Sequence, residues 1–131
     1  MKNDEVLKSY LDAFFKGDLE GATSFLADDF KVIESEGMPY SGEWIGKAGF
    51  SKLIETVYGC WSDMKVELTE IIGGPNSDSF AVLMNMEGKS SRNGRPFSTS
   101  LCEIWSVRES KLTLVKPYYW DTKLMSELAA G

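Results

Sequence analysis

Apolar residues recur at helical spacing near the amino terminus. Val6, Leu7, Tyr10, Leu11, Phe14 and Phe15 fall on one stripe and predict an amphipathic helix, with Asn3 or Asp4 able to cap its start and Gly17 able to end it. Asp18 is then placed to cap a second helix carrying Leu19, Ala22, Phe25 and Leu26 on its apolar face. The period changes over residues 29–35, where Phe30, Val32 and Glu34 alternate with Lys31, Ile33 and Ser35, as in a half-buried strand. A loop rich in Gly and Pro runs from Gly37 to Gly46 and contains Tyr40 and Trp44. A third helical stripe follows, made of Phe50, Leu53, Ile54 and Val57.

The remainder reads mainly as strands. Residues 64–72 place Val66, Leu68 and Ile72 on one side, and the Gly73-Gly74-Pro75-Asn76 run makes a turn. Residues 79–88 place Phe80, Val82, Met84 and Met86 on one face. Asn93-Gly94 signals a hairpin, residues 96–107 form the next strand, 108–110 the next turn, and 111–119 the last strand. Residues 123–130 close with a short helix that turns Leu124, Met125 and Leu128 inward. This order predicts an α+β fold: three helices around one early strand, then a four-strand antiparallel meander. There is no internal repeat or linker composition, so one domain is expected over residues 1–131.

Composition narrows the chemistry. The net charge of −6 argues against nucleic acid and anionic membrane surfaces as partners, since both require a basic face. The chain has no His, which removes Ser-His and Cys-His catalysis and leaves only Cys60 and Cys102 as soft metal ligands, so neither a metal nor a cofactor is expected. Acid–base work falls to Asp, Glu, Tyr, Lys or Cys. The amino terminus lacks a signal-peptide pattern and no run approaches a membrane span, so a cytoplasmic protein with reduced thiols is expected. Four Trp, five Tyr and seven Phe are enough to fill a core and line a pocket for a flat ligand.

Three segments in this order and spacing resemble the ketosteroid isomerases and SnoaL-like polyketide cyclases of the NTF2-like superfamily. They are VLKSYLDAFFKGDLEGATSFLADDFKV at 6–32, PYSGEWIGKAGFSKLI at 39–54 and EIWSVRESKLTLVKPYYWDT at 103–122. The resemblance covers nearly the whole chain. It implies a cystatin-like cone, with the sheet curled around the helices to leave a pocket closed at its base. It also implies a Tyr on the first helix, a carboxylate base at the end of the first strand and a second acid on the penultimate strand. These positions fall on Tyr10, Glu34 and Glu103. The isomerases carry Asp at both acidic positions. The extra methylene of Glu displaces a carboxylate by roughly 1.5 Å, against a catalytic tolerance of about 0.5 Å, which argues against steroid isomerisation itself.

The residue pattern points the same way. Tyr10 lies between Leu7 and Phe14 on the apolar stripe, Glu34 shares a face with Phe30 and Val32, and Glu103 shares one with Leu101 and Trp105. Carboxylates on apolar faces are costly unless paired, protonated or wetted by a pocket. The competing readings are a core Tyr10, a Glu34 solvated at its strand end, and a Glu103 salt-bridged to Lys116 or Arg92. Phe14, Met84, Trp105, Tyr118 and Trp120 are the candidate ligand contacts, with Trp120 near the mouth. A pocket of at least ~300 Å³ is expected for a small-molecule site. Glu34, beside the glycine-rich loop, is expected to ionise first and act as base, leaving Glu103 protonated as a hydrogen-bond donor. The functional reading is a cofactor-free isomerase, cyclase or lyase acting by proton transfer on an apolar carbonyl compound. The alternative is a non-catalytic binding or dimerisation module. Cys102, Ile104 and Ile71 alternate with inward residues, so the outer sheet face is expected to pair two copies of the chain into a homodimer.

Overall fold

The amino-terminal stripe forms helix α1, Asn3–Phe15, in a computed structural model that describes all residues from Met1 to Gly131. The Glu5 carboxylate accepts the Lys2 backbone N–H at 3.1 Å, so the cap sits at Lys2, one residue ahead of the expected one. Val6 and Leu7 are wholly buried. Gly17, at φ 78°, releases the chain into α2, Leu19–Thr23, where the Asp18 side chain accepts the Gly21 N–H at 2.9 Å. Helix α2 stops short of Phe25 and Leu26, contrary to the apolar pattern. Strand pairing takes these residues: Phe25 C=O accepts the Leu112 N–H at 2.9 Å, and β1, Leu26–Glu34, starts there.

The glycine-rich loop contains a strand the pattern does not announce. Residues Gly42–Ile45 form β2, antiparallel to β1 at the sheet edge. Then come α3, Gly46–Cys60, β3, Trp61–Ile72, β4, Ser79–Ser90, β5, Pro96–Arg108, β6, Lys111–Tyr119, and α4, Thr122–Ala130. The sheet therefore has six strands in the order β2-β1-β6-β5-β4-β3, with β1–β6 the single parallel pair. Helices α1 and α3 lie against its inner face, and 25 buried residues from both layers form one core. No helix is long and apolar enough to cross a membrane.

Two bulges decide which residues face that core. In β3 the register shifts between Leu68 and Glu70, so Val66 and Leu68 share a face with Met86 and Met84, but beyond the bulge it is Ile71 that stands beside the fully buried Val82. Ile71 thus packs toward the core and is no part of an outer apolar face, a correction to the expectation from simple alternation. In β6 the shift lies between Ser106/Leu114 and Val107/Leu112. Leu112 and Val115 both point inward across it, and Pro117 and Tyr119 follow.

Helix α4 crosses one end of the sheet. Asp121 caps it by accepting the Leu124 N–H at 2.9 Å, and Met125 and Leu128 are buried. Ser90, 1% exposed, ties it down: its hydroxyl donates to the Leu128 carbonyl at 2.8 Å and accepts the Arg92 N–H at 3.3 Å. Replacing Ser90 by Ala leaves both groups without their partner. We expect Ser90→Ala to cost about 1–3 kcal/mol, read as a lower urea midpoint, with amide exchange accelerated first in residues 122–130.

Candidate functional site

Strand register sets the two acids in one row. Val32 of β1 lies opposite Val115 of β6, so two residues on Glu34 comes abreast of Pro117; Pro117 lies opposite Glu103 of β5, and Glu103 opposite Val82 of β4. Glu34 and Glu103 therefore flank Pro117 on the concave face, with backbones two strand spacings apart, about 9.5 Å. Pro117 has a short side chain, so the gap between the carboxyls stays open. Ser35 Oγ donates to the Pro117 carbonyl and holds the end of β1 against β6.

The row forms the floor of a cavity of about 130 Å³, walled almost entirely by apolar side chains. Tyr10, Phe14, Met84 and Trp105 line it with Glu34 and Glu103, so six of the eight side chains expected at the site converge there. The Tyr10 ring lies 4.7 Å from Trp105 and 6.3 Å from Phe50, centroid to centroid. Phe15, Tyr58 and Val66 also line the cavity and are exposed, so they mark its mouth between the ends of α1 and α3 and strand β3. The volume is less than half the expected 300 Å³, because Met64, Met84, Met86 and the five aromatic rings of Tyr10, Phe14, Phe50, Trp105 and Tyr119 fill the cone.

Tyr118 and Trp120 do not belong to the cavity. Tyr118 is 52% exposed and Trp120 86% exposed. Even alternation continued from Leu112 would turn both inward, but the β6 bulge reverses the parity and delivers Tyr119 instead. Tyr119 is thus the functional candidate that sequence reasoning missed. Its signal was the inward pair Val115 and Pro117 at spacing two, legible only once the bulge is placed. With it come Tyr40, whose hydroxyl lies 3.0 Å from that of Tyr119, and Trp61, whose Nε1 donates to Tyr40 Oη at 3.0 Å.

No cation answers the two acids. None of the ion pairs involves Glu34 or Glu103, and Lys116, opposite Ile104, points away from the cavity. Glu34 is 7% exposed and its Oε1 has no hydrogen-bond partner. Burial, then the nearby Glu103 charge, pushes the Glu34 carboxyl up to about 8. What surface Glu103 retains opens into the cavity, and burial raises its carboxyl to about 7, moderated by the N–H that Trp105 Nε1 donates to Oε1 at 3.1 Å. One donor acts on each carboxyl, Trp105 Nε1 on Glu103 and the Ser35 backbone N–H on Glu34, and Glu34 is buried rather than solvated by the loop, so both acids are raised and share the cavity's proton. Burial, aided by the Glu103 charge, holds the Tyr10 hydroxyl well above its ordinary range. At neutral pH the cavity thus keeps at least one proton on the acid pair and can offer both an acceptor and a donor. No group of three His, Cys, Asp or Glu side chains able to hold a metal occurs, and both cysteines are free.

Comparison with known proteins agrees with this architecture. The sequence profile of the SnoaL-like domain matches residues 7–115. An NTF2-like protein of unknown function from Burkholderia pseudomallei superimposes with a TM-score of 0.85 at 23% identity, covering 98% of each chain. TerC, co-crystallised with polyporic acid, superimposes with a TM-score of 0.84 at 25% identity, also covering 98% of each chain. A polyketide-cyclase-like protein from Xanthomonas campestris gives 0.75 at 17% identity over 96% of each chain. No protein of curated function is similar to the chain in sequence.

The raised carboxyls make stability depend on pH. Folded Glu34 keeps its proton up to about pH 8, whereas its ordinary value is 4.5. The native state binds more protons than the unfolded state between those values, so stability falls as pH rises through that window, by up to ~1.4 kcal/mol per unit, and levels off above it. Glu34→Gln removes the penalty. The stability gain of Glu34→Gln over the parent should be small at pH 4.5 and reach several kcal/mol at pH 8, measured by urea denaturation. A variant destabilised at pH 8 would mean that Glu34 is an ionised, paired group.

Proposed function

Since the chain belongs to the SnoaL-like family and has the NTF2-like fold, we propose that it acts on a small apolar carbonyl compound as a cofactor-free isomerase, cyclase or lyase, by carboxylate-mediated proton transfer. The observation that carries this reading is the pair of carboxyls in one apolar cavity with no cation beside them, one of them with a buried, unpartnered oxygen. Groups whose environments push their pKa values up and apart are the pattern of an acid–base site. Glu103, whose charge the Trp105 N–H supports, takes the proton next to the carbonyl. Glu34 returns a proton, and the Tyr10 hydroxyl donates a hydrogen bond to the developing enolate oxygen. A cavity of about 130 Å³ is close to the ~150 Å³ apolar cavities that accept benzene, so it holds one ring of the substrate. The rest of a larger substrate extends past Phe15 and Tyr58. TerC, co-crystallised with polyporic acid, supports a small-molecule ligand. An anion buried beside Glu103 is disfavoured, so phosphorylated and carboxylated compounds are poor ligands.

The outer sheet face is proposed to pair two copies of the chain. Leu83, Cys102 and Tyr118 form one outward row, and Ala81, Ile104 and Lys116 the next. Apolar side chains left uncovered at the centre of a sheet indicate a partner surface. We expect sedimentation velocity at micromolar concentration to give a dimer that Ile104→Lys converts to monomer. A monomeric parent protein would remove the proposal.

Proton transfer is tested with cyclohex-2-enone in D₂O, following exchange of its α and γ protons by NMR. The protein should accelerate exchange, and Glu103→Gln should reduce the effect by about 10²–10⁴-fold while retaining binding. The rate should follow a bell with its maximum between pH 7 and 8, rising as Glu103 ionises near 7 and falling as Glu34 loses its proton near 8. Binding without accelerated exchange across a panel of small cyclic ketones would leave a binding protein rather than an enzyme.

A further inference from the structure

We infer that Tyr119 is a hydrogen-bond donor to the ligand in the cavity, its proton directed there by Trp61 acting through Tyr40. The inference rests on the reading of the cavity as a ligand site, and adds to it a catalytic group from outside the acid pair and α1.

The direction follows from what each group is able to do. An indole N–H only donates, so Trp61 Nε1, 3.0 Å from Tyr40 Oη, makes Tyr40 the acceptor of that bond. The Tyr40 hydroxyl then has its own proton to place. Tyr40 is 2% exposed, so water does not take that proton, and the hydroxyl of Tyr119, 3.0 Å away, is the oxygen within reach. Tyr40 therefore donates to Tyr119. The opposite arrangement, with Tyr119 donating to Tyr40, would aim two donors at Tyr40 and strand its buried proton. With Tyr40 donating, the stranded proton is avoided, and the Tyr119 proton is left for the cavity that Tyr119 lines. A hydroxyl that already accepts a hydrogen bond is the stronger donor for the next one.

Tyr40 is well held for this task. Its carbonyl accepts the Trp44 Nε1 proton at 3.0 Å, while Trp61 engages its hydroxyl, so two indoles fix the ring at both ends. Trp61 is itself 1% exposed and packs edge-on against Phe97 at 5.1 Å. The titratable groups facing Tyr119 are Tyr40, Glu34 and Glu103; with burial the leading cause, they hold its hydroxyl well above the ordinary range, so it remains a proton donor throughout the pH window of the acid pair. The ligand class follows: an acceptor oxygen, carbonyl or ether, placed at the β6 side of the cavity between Tyr119 and the unpartnered Glu34 carboxyl oxygen.

The polarity can be read without a ligand. In protein labelled with ¹³Cζ-tyrosine, NMR at low temperature should show a slowly exchanging hydroxyl proton correlated with Tyr40, lost in Tyr40→Phe and exchanging faster in Trp61→Phe. Correlation of the slow proton with Tyr119, or no slow hydroxyl proton on either ring, overturns the inference. The donor role is read from the carbonyl stretch of bound cyclohex-2-enone. It should lie below its frequency in aprotic solvent, return part of the way in Tyr119→Phe, with the Tyr10 bond remaining, and return by a smaller part in Trp61→Phe, whose altered side chain touches Tyr40 and not the ligand. An unchanged stretch in Tyr119→Phe overturns the inference while leaving acid–base chemistry by Glu103 and Glu34 intact. Failure of the enone and other small ketones to bind the parent protein counts instead against the proposed function, and the hydroxyl proton alone then decides the polarity.

Discussion

Two carboxyl groups buried in an apolar cavity with no cation to answer them are the constraint around which the rest of the cone is arranged. An ionised carboxylate there would carry a large desolvation cost, and two would add mutual repulsion. The interior meets the constraint by keeping protons: the groups are raised to about 7 and 8, so the pair is seldom doubly charged at neutral pH. Trp105 stabilises the charge on Glu103 by donating its N–H, and no equivalent donor reaches Glu34 Oε1. Burial and the shared cavity, rather than any difference between two Glu side chains, raise both carboxyls.

That arrangement is sensitive to register. A strand that slips by one residue sends its whole inward set to the outer face. The bulge after Leu68 in β3 and the bulge in β6 make that change locally, and so rotate Ile71 and Tyr119 inward and Tyr118 outward. Because Pro117 lies between Glu34 and Glu103 in the row, the same bulge that brings Tyr119 in also places a small side chain between the acids. The hydroxyl chain of Trp61, Tyr40 and Tyr119 depends on this choice, and on the loop before β2 bringing Tyr40 within 3.0 Å of Trp61 at the start of β3.

A cavity this small also links packing to chemistry. Methionines and aromatic rings leave room for about one ring, and the exposed mouth residues Phe15, Tyr58 and Val66 belong to the ends of α1 and α3 and to β3. Specificity for the reacting end of a ligand is therefore set by the rigid sheet, while the remainder meets side chains at element ends, where local opening costs least.

Periodicity alone determined the helices, the long strands and the α+β class, because burying one face of each element imposes a period of 3.6 or 2 on the chain itself. It also placed Tyr10, Glu34 and Glu103 inward, since each lies on a regular stretch with buried neighbours two, three or four residues away. What the sequence did not show depended on partners far along the chain. Phe25 and Leu26 left the helix for pairing with β6, and the four residues of β2 are too few and too rich in glycine to display a period. The exchange of Tyr118 and Trp120 for Tyr119 came from a bulge that exists only in the pairing of β5 with β6. The raised carboxyls were decided in the same way, because the donor at Glu103, the unpartnered Oε1 of Glu34 and the lack of a neighbouring cation are all properties of the space between elements. Local spacing says which side of its own strand a residue occupies; only the assembled sheet says what stands opposite it.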